Sequence, residues 1–519
     1  MHFVFVFLAL FAGMLPAGAA AQTLVIGAAS GNTSLDPLFQ DNAPNLQVSA
    51  HIFDRLVDQD ERLALRPALA TAWRALADTT WEFELREGVR FHDGAPFTAD
   101  DVVASLQRVA AIDNSPASFA VYTRPIARVE VVSPHRIRFH TAAPFPLLPE
   151  YLSQVNIVGR AQAGLPTAEF NAGRAVVGTG PFRFVAWTPG ERLELARNPD
   201  WWGGAPAWER VVIRFISNDA ARIAALLTDQ VQVIDAVPTG DAGALGARGG
   251  ISLFATPGIR IISLGIDSAR ERAPFVFGPD NEPIANPLRD RRVRLALAMA
   301  INREAVVTRL HAGQAVAASQ LVREGMGGFA ADIAPPPFDP EGARRLLAEA
   351  GWPRGFSLTL HGPANRFPND EETLQAIAAM FARIGVRARV ETMPNGVFLS
   401  RYSRLEFAVA MQGFSPITGE ASSALRGLLA TFDRERGDGT SNRSRYSNPA
   451  LDAPLQRALV EMDRGRREAL LQQAMRSGME DVALIPLYFS LNVWATRQGL
   501  AYTARADDQT RAVAVRRTE

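Results

Sequence analysis

Residues 81–108 read WEFELREGVRFHDGAPFTADDVVASLQR, and they combine a strand pattern, two turn signals and a helix start. In residues 81–86 apolar and charged side chains alternate, which predicts a half-buried strand. Glycines within residues 88–94 predict two turns with a second short strand between them. Thr98 precedes Asp101 by three residues, the spacing of a capping box. The stretch predicts scaffold rather than chemistry, because it contains no nucleophile–base pair and no metal-ligand spacing.

The overall composition is that of a globular protein of more than one lobe. The chain has 519 residues, of which 47% are hydrophobic and 21% are charged. A chain of this length divides into lobes, because single cores stop growing at roughly 250–300 residues. Basic and acidic residues number 54 each, so the formal net charge is zero. A nucleic-acid-binding protein usually carries a basic excess, and we therefore expect no nucleic-acid partner.

The chain contains no lysine and no cysteine, which excludes several kinds of site. Without lysine there is no phosphate-loop lysine, no Schiff base and no Ser-x-x-Lys dyad. Without cysteine there is no disulfide, no thiolate nucleophile and no cysteine-based metal site. The seven histidines form no His-x-x-x-His or His-Glu pair. We therefore predict neither a bound metal nor a cofactor.

The amino terminus predicts export. An apolar run covers residues 3–14, and small residues follow up to Ala21, as in a secretory signal with an Ala-x-Ala cleavage site. The run is too short to span a bilayer of about 30 Å. No cysteine follows it that could carry a lipid. We expect a signal peptide at residues 1–21 and a periplasmic protein that is not lipid-anchored. The alternative is a buried amino-terminal strand or helix.

Downstream patterns predict an α/β lobe. Residues 339–353 form a helix with Asp339 as N-cap, a proline in the first turn and a glycine at the end. Strand patterns at residues 356–362 and 386–393 flank a further helix, an order that implies some parallel pairing. Residues 291–307 predict a helix that is apolar on nearly all sides and therefore buried.

Several segments, taken in order, resemble one family: the extracytoplasmic solute-binding proteins of peptide-type and nickel-type ABC importers, solute-binding protein family 5. The resemblance covers nearly all of the chain after the amino-terminal segment. Its segments are SLDPLF (34–39), LRPALATAW (65–73), residues 81–108, VGTGPFRFVAW (177–187), NPDWWGGAP (198–206), NPLRDRRVRLALAMAINRE (286–304), DPEGARRLLAEAGW (339–352), RYSNPALD (445–452) and IPLYFSLNVWA (485–495).

The resemblance implies a fold and a division of the chain. The expected fold is α/β, a two-lobed periplasmic-binding-protein-like fold of the large type, with mixed sheets and hinge strands. The first lobe would cover residues 22–258, include an extra subdomain at about 60–175, and be completed by residues 488–519. The second lobe would cover residues 259–487. The hinge strands would lie near the two lobe crossings, at TPGIRIISLGI and IPLYFSLNVWA.

The implied function is binding and not catalysis. Two lobes would close on a small peptide or peptide-like solute, and the closed form would deliver it to an ABC permease and its ATPase. The chain would act as a monomer. Two alternatives stay open: an exported hydrolase, and a periplasmic sensor or chaperone without transport. No Gly-x-Ser-x-Gly or His-Glu-x-x-His motif supports a hydrolase, although spacing alone does not rule out a pair of carboxylates.

The resemblance also indicates site residues in the second lobe. Peptide-binding members carry a Gly-Trp-x-x-Asp stretch whose Asp pairs with the peptide ammonium, and here Phe414 takes the Trp place and Ile417 the Asp place. An aliphatic side chain cannot neutralise a charge, which is costly to bury unpaired. We therefore expect a blocked or anionic solute. Glu420 is a possible substitute, and Arg426 could pair with a solute carboxylate. Alternatively both flank a helix that begins near Ala421.

In the first lobe the resemblance indicates four further candidates. Phe119 and Tyr122 lie in a segment whose aromatic side chains line the cleft in the family. Asp41 should edge the cleft, and Asn156 occupies a loop position that contacts ligand in some members. For Phe119 the alternative is ordinary core packing. The tryptophans of NPDWWGGAP are interpreted as scaffold.

Overall fold

The computed structural model describes residues 22–518, so the expected signal peptide lies outside the described residues. Within them the chain forms twenty strands. They are β1 Thr23–Ala28, β2 Val57–Gln59, β3 Leu65–Pro67, β4 Ala70–Ala77, β5 Thr80–Leu85, β6 Ile126–Ser133, β7 Arg136–Thr141, β8 Phe182–Thr188, β9 Arg192–Arg197, β10 Arg210–Phe215, β11 Val233–Ile234, β12 Ile251–Ile266, β13 Val276–Phe277, β14 Ala315–Ala317, β15 Ser357–Ala364, β16 Arg387–Pro394, β17 Val409–Phe414, β18 Leu484–Arg497, β19 Leu500–Tyr502 and β20 Val515–Arg517.

Sixteen α-helices are formed in the same part of the chain. They are α1 Ala43–Ile52, α2 Ala99–Ala111, α3 Ala120–Thr123, α4 Leu148–Leu152, α5 Arg160–Ala163, α6 Thr167–Asn171, α7 Asp219–Leu227, α8 Thr239–Gly246, α9 Arg291–Ala300, α10 Arg303–Ala305, α11 Pro340–Glu349, α12 Asp370–Ala382, α13 Asn395–Ser403, α14 Ser422–Ala424, α15 Pro449–Ala458 and α16 Arg464–Glu480. Short π-helical turns continue α10 and α14, at Val306–Leu310 and Leu425–Leu429. None of the described helices is long and apolar enough to cross a membrane.

One mixed sheet runs through the whole molecule. Its main path is β13-β15-β17-β12-β18-β11-β1-β10-β9-β8, with β14 attached to β18 and β16 to β15. Strand β15 is parallel to β16, as the order of residues 356–393 predicts. Strand β15 is also parallel to β17, and β1 is parallel to β10 and β11. The long antiparallel pair β12 and β18 joins the two parallel groups.

The β12–β18 pair contains a break in register where it passes from one group to the other. The pairing is regular from Ile251 to Pro257 and resumes at Ile261. Gly258 lies in the break, and a methyl group there would lie 3.0 Å from the Ser490 carbonyl oxygen. An irregularity of this kind bends a strand locally. Both strands fall at the predicted hinge segments.

A second, four-stranded antiparallel sheet lies apart from the main one, in the order β4-β5-β7-β6. Helix α2 begins as its sequence predicts: the Thr98 amide donates to Asp101 Oδ2 at 2.8 Å. The predicted strand between the two turns is wrong, because only a single bridge joins Arg90 and Pro96. Asp93 side-chain bonding and the glycine turn at residue 94 hold these residues as a loop instead.

Four large groups of buried side chains organise the molecule. The first core gathers β1, β9, β10 and the end of the chain, and it includes Leu24, Ile213, Trp494, Tyr502 and Val515. The subdomain core lies between the four-stranded sheet and α2. Its members include Phe83, Phe97, Val102, Phe139 and Leu152.

Two further cores lie around β12, β15 and β17 and the helices near them. The second core includes Ile262, Leu297, Leu360, Phe381 and Val409. The third core includes Leu321, Leu425, Leu451, Leu471 and Met475. The fold is thus two-lobed α/β, with an extra sheet beside the first core. The exact residues at which each lobe begins and ends stay a prediction.

The predicted helix over residues 291–307 is interrupted. Helix α9 ends at Ala300, and Asn302 starts α10 by accepting a hydrogen bond from the Ala305 amide at 2.9 Å. An asparagine at this place competes with the helical backbone, because its side chain caps a new start. The predicted N-cap of α11 is confirmed, since Asp339 Oδ1 accepts from the Gly342 amide at 2.8 Å.

His92 of the opening stretch joins the loop of the VGTGPF segment. Its Nδ1 accepts from the Gly178 amide at 3.3 Å, so Nε2 carries the proton and donates to the Gly180 carbonyl at 3.0 Å. The His92 amide also donates to the Gly178 carbonyl at 2.8 Å. Burial lowers the pKa of His92 to about 4. The histidine is therefore neutral at pH 7 and has a structural role here.

The NPDWWGGAP tryptophans also have structural partners. Both indoles donate to Asp54 Oδ2, Trp202 at 2.7 Å and Trp201 at 3.3 Å. The Thr179 hydroxyl donates to the same oxygen at 3.0 Å. Burial raises the pKa of Asp54 to about 6, against the effect of these three donors. Asp54 thus ties two distant segments of the chain together.

We expect Asp54→Ala to lower the free energy of unfolding by about 2 kcal/mol, because it leaves partly buried donors without an acceptor. Urea denaturation measures the change. Asp200→Ala is the matched control: its side chain is 80% exposed and its ion pair with Arg183 spans 3.4 Å. That change should stay within about 0.5 kcal/mol. Equal losses for both variants would contradict the structural role given to Asp54.

Candidate binding site between the lobes

The loop between β17 and α14 is the point at which the two sides of the molecule meet. Ile417 packs against both the first core and the third core. Its carbonyl accepts a hydrogen bond from Gln59 Nε2 at 3.1 Å, and Gln59 Oε1 accepts from Gln154 Nε2 at 3.0 Å. The residue that replaces the expected Asp is therefore an apolar contact across the junction.

Two of the predicted first-lobe residues are brought together. The Tyr122 hydroxyl donates to Asp41 Oδ2 at 2.6 Å. Burial raises the pKa of Asp41, while this bond and the charge of Arg55 oppose the rise. The Tyr122 ring meets Tyr151 edge to face, with centroids 5.6 Å apart. Through Tyr122 the pair therefore contacts Tyr151 of helix α4, a helix that the sequence interpretation did not single out.

Helix α4 faces the loop after β17. Burial raises the pKa of Glu150 to about 7, the charge of Glu420 adds to the rise, and Arg467 and Arg464 oppose it. Burial likewise raises the pKa of Tyr151, which is close enough to Arg426, Glu420 and Arg467 for their charges to act on it. Residues from two distant segments therefore share one electrostatic environment.

Both second-lobe candidates, Glu420 and Arg426, already have partners within the chain. Glu420 is 8% exposed and forms an ion pair with Arg467. Arg426 Nε donates to Asp438 Oδ1 at 2.6 Å, and the same guanidinium bonds the Arg436 carbonyl. Arg426 is thus engaged within its own side of the molecule, as the helix-flanking alternative expects. Its contact with a solute stays a prediction.

Phe119 and Asn156 are fully buried. Phe119 is a member of the first core. Asn156 Nδ2 donates to the Pro37 carbonyl at 3.1 Å, and its Oδ1 accepts from Arg55 Nε at 3.2 Å. Core packing therefore describes the surroundings of Phe119, and structural bonding those of Asn156. The contact of either residue with a solute stays a prediction.

Phe414 ends β17 and packs partly against the third core. A methyl group on its neighbour Gly413 would lie 2.7 Å from the Phe367 ring. The Arg366 guanidinium lies 5.5 Å from the centroid of that ring. Two aromatic side chains and an exposed cation therefore lie together at the end of this sheet. The sequence interpretation missed Arg366 and Phe367.

Charges from three segments meet near the break in β12. Arg260 and Asp508 form an ion pair of 3.8 Å, and both charges act on Arg366. Burial raises the pKa of Asp508 to about 6, against the charge of Arg260, and Asp507 and Asp235 add to the rise. Ionisable groups from β12, from the segment after β19 and from the loop after β15 therefore lie close together beside the register break in β12.

A signal for these missed residues was present in the strand order. Arg366 follows β15 and Glu420 follows β17, and these strands are parallel. Asp235 follows β11, which is parallel to β1. Ligands in α/β sheets bind outside the carboxyl ends of parallel strands. The described residues contain no group of three or more His, Asp or Glu side chains that could hold a metal ion.

Comparison with known proteins identifies relatives over most of the chain. The family model "Bacterial extracellular solute-binding proteins, family 5 Middle" matches residues 64–435. The glutathione-binding protein GsiB of Salmonella typhimurium is 30% identical over 477 residues, which are 90% of this chain and 89% of that protein.

Solved structures share the fold. DppA of Helicobacter pylori, a periplasmic binding protein in complex with the peptide STSA, is 24% identical with a TM-score of 0.76, over 96% of this chain and 98% of that one. HbpA2 of Haemophilus parasuis is 23% identical with a TM-score of 0.81, over 96% of this chain and 100% of that one. At these identities the likeness shows the fold alone.

Proposed function

This chain belongs to the bacterial extracellular solute-binding proteins of family 5, and from that premise we propose that it captures a small peptide or peptide-like solute between its lobes. The observation that carries the proposal is the junction at Ile417, where a loop from one side packs on the cores of both. GsiB and DppA, one named for glutathione and the other bound to a peptide, support the peptide-like class.

The proposed contacts combine predicted and additional residues. We propose that Asp41, Tyr122, Phe414 and Glu420 contact the solute, and the Phe119, Asn156 and Arg426 contacts are proposals of the same kind. Tyr151, Arg366 and Phe367 are added from their position. A solute that touches residues from both sides favours the closed arrangement, because its contacts are complete only there.

The family consists of binding proteins, and we propose that this member turns over nothing. Delivery to an ABC permease and ATPase follows from the family and not from a contact in this chain. The monomeric state, the periplasmic location and the cleavable signal at residues 1–21 are proposals of the same kind.

A thermal-shift screen tests the proposal. The panel contains di- to tetrapeptides, glutathione, N-acetylated peptides, opines, sugars and nickel–histidine. Ligand that binds only the folded state adds about 2.7 kcal/mol at a hundredfold excess over Kd. We expect a saturable rise in Tm with a peptide-like solute, recovered unchanged by chromatography. A response to sugars alone, or a hydrolysed solute, would reject the proposal.

A pair of variants locates the site in the same screen. Phe414→Ala should weaken binding by about tenfold, because it removes a partly buried aromatic contact at the junction. Phe432→Ala is the matched control, since this ring is 44% exposed and lies under the Arg445 guanidinium at 3.9 Å. Binding by Phe432→Ala should equal that of the unaltered protein. Equal weakening by both changes would move the site away from β17.

A further inference from the structure

The β2–β3 hairpin joins two cores that lie on different sides of the molecule. Leu56 and Val57 at its base are buried members of the subdomain core. Leu63 at its tip is 5% exposed and belongs to the third core, together with Leu425 and Leu471. One side chain therefore carries the hairpin across the boundary between the subdomain and the third core.

The residue at the tip is held in a conformation that leucine avoids. Leu63 has a φ of 71°, in the left-handed region, which is unusual for a bulky side chain. A residue in such a conformation is stable only where its surroundings fix it. Asp60 Oδ1 accepts from the amides of Arg62 and Ala64, at 2.8 and 2.9 Å, and so fixes the turn on both sides of the leucine. The strain is therefore balanced by the turn and by the burial of the Leu63 side chain.

Backbone contacts fasten the same tip to two other segments. The Ala506 amide donates to the Glu61 carbonyl at 2.9 Å, and Ala506 itself lies in the third core. A methyl group on Gly419 would lie 3.3 Å from the Leu63 carbonyl oxygen, so the loop after β17 approaches the tip closely. The tip therefore contacts the loop that carries Ile417, although none of the tip residues is among the proposed solute contacts.

A gap separates the subdomain and the third core at a second place. It measures about 410 Å³ and is lined by Asp78, from the turn between β4 and β5, and by Arg457, Val460 and Glu461 from α15 and the residues after it. Strands β4 and β5 belong to the four-stranded sheet, whereas α15 contributes Leu451 to the third core. The width of this gap therefore reports whether the subdomain and the third core are held together.

We propose that Leu63 is a clasp: its insertion into the third core holds the subdomain against that core, and its withdrawal opens the molecule. Insertion buries an apolar side chain, whereas withdrawal releases the strain of the left-handed backbone, so neither arrangement is strongly favoured over the other. Leu63 thereby sets solute affinity as a positioning residue, because only the fraction of the protein in the competent arrangement binds. This consequence for affinity rests on the proposed function, whereas the clasp itself does not.

Pyrene excimer emission measures the separation across the gap. The chain has no cysteine, so Asp78→Cys with Val460→Cys places two pyrene labels on opposite sides of the gap and nowhere else. We expect strong excimer emission from this labelled reference protein without added solute. Adding Leu63→Asn should lower the excimer-to-monomer ratio by about fivefold. Asparagine tolerates the left-handed backbone but brings no apolar side chain to the third core.

Two further variants separate the clasp from a general loss of structure. Leu63→Met keeps an apolar side chain of similar volume at the tip and should keep the reference ratio. Leu405→Asn is the matched control and should also keep it, because Leu405 has a left-handed φ of 61° but is not a member of the third core. If Leu63→Asn does not fold, Asp60→Ala decides instead, since it removes the acceptor of the Arg62 and Ala64 amides. An unchanged ratio in Asp60→Ala would then overturn the inference.

Isothermal titration calorimetry with trialanine and glutathione tests the consequence for affinity. Leu63→Asn should weaken the binding of both probes by the same factor, about fivefold, because the competent fraction falls by that factor. The ratio of the two Kd values should stay within about twofold of its value in the unaltered protein. A residue that touches a solute would change this ratio, since the two probes differ in chemistry.

The outcomes decide the inference separately from the proposed function. An excimer ratio in Leu63→Asn equal to that of the reference overturns the clasp, and so does an equal fall in Leu63→Met or Leu405→Asn. A changed ratio of the two Kd values makes Leu63 a solute contact and also overturns it. If neither probe binds while the excimer ratio responds as expected, the clasp stands and the proposed function loses support. A fall confined to Leu63→Asn, with both probes weakened equally, supports the inference.

Discussion

Arg108→Ala is expected to lower the free energy of unfolding by about 3–5 kcal/mol, the largest loss that we predict for this protein. Removing one partner of a buried ion pair leaves the other charge uncompensated, and a lone buried carboxylate is costly. Here the Asp36 side chain is fully buried, and that of Arg108 is 4% exposed. The pair joins the SLDPLF segment to helix α2.

The surroundings of the pair explain why solvent cannot compensate. The Thr167 hydroxyl donates to Asp36 Oδ2 at 2.7 Å. Arg108 Nη1 donates to the Ala163 carbonyl at 2.9 Å, and the guanidinium lies 4.4 Å from the centroid of the Phe170 ring. Alanine would remove the counter-ion of Asp36, the donor to the Ala163 carbonyl and the contact with the Phe170 ring in one change.

Chemical denaturation with two controls measures this effect. Arg344→Ala removes a guanidinium that is 50% exposed and paired with Glu341 on the surface. That loss should stay below about 1 kcal/mol. The double variant Asp36→Leu with Arg108→Met should lose less than the sum of its single changes, because neither charge is left alone. A loss from Arg108→Ala no greater than that from Arg344→Ala would refute the argument.

Gly178→Ala is expected to cost about 3 kcal/mol, the upper end of the usual range for overpacking. A methyl group at residue 178 would lie 1.9 Å from the carbonyl oxygen of Ile52 and 2.7 Å from its carbon. Backbone cannot yield as a flexible side chain can. The shift would also disturb the bonds between residue 178 and His92.

Gly164→Ala separates this close approach from the general effect of replacing glycine. Apart from the adjoining backbone, no atom lies within 4 Å of a methyl group at residue 164, and its φ of −82° suits alanine. We expect that variant to be unchanged or up to about 1 kcal/mol more stable, because alanine restricts the unfolded chain. Comparable Tm values for both alanine variants would show that the Ile52 contact can relax.

Local signals predicted the elements that depend on near neighbours. The caps of α2 and α11, at Thr98 and Asp339, each span three residues and could be found from spacing alone. The same kind of signal was overlooked at Asn302, whose amide oxygen ends the apolar run of α9 by starting a new turn. Periodicity continues across such a cap, so an apolar pattern by itself overestimates helix length.

The site was less predictable because its members meet only in the folded chain. The sequence singled out Glu420, yet its surroundings depend on Arg467 and on Glu150 from distant segments. Single acidic and basic residues carry no local signature. The strand order does contain a signal for Arg366, because this residue follows β15, a strand that is parallel to its neighbours. The resemblance supplied the remaining candidates, and Asp41 and Tyr122 are bonded to each other.

Residues 494–515 complete the first core, whose other members include Leu24 from a much earlier part of the sequence. The Trp208 indole donates to the Val515 carbonyl at 2.9 Å, and the Ala512 amide donates to His51 Nε2 at 3.1 Å. In a chain that is made amino terminus first, the part of the core around Leu24 therefore exists before the residues that close it. Apolar surface near Leu24 stays uncovered during that interval, which makes this part of the unfinished core prone to aggregation.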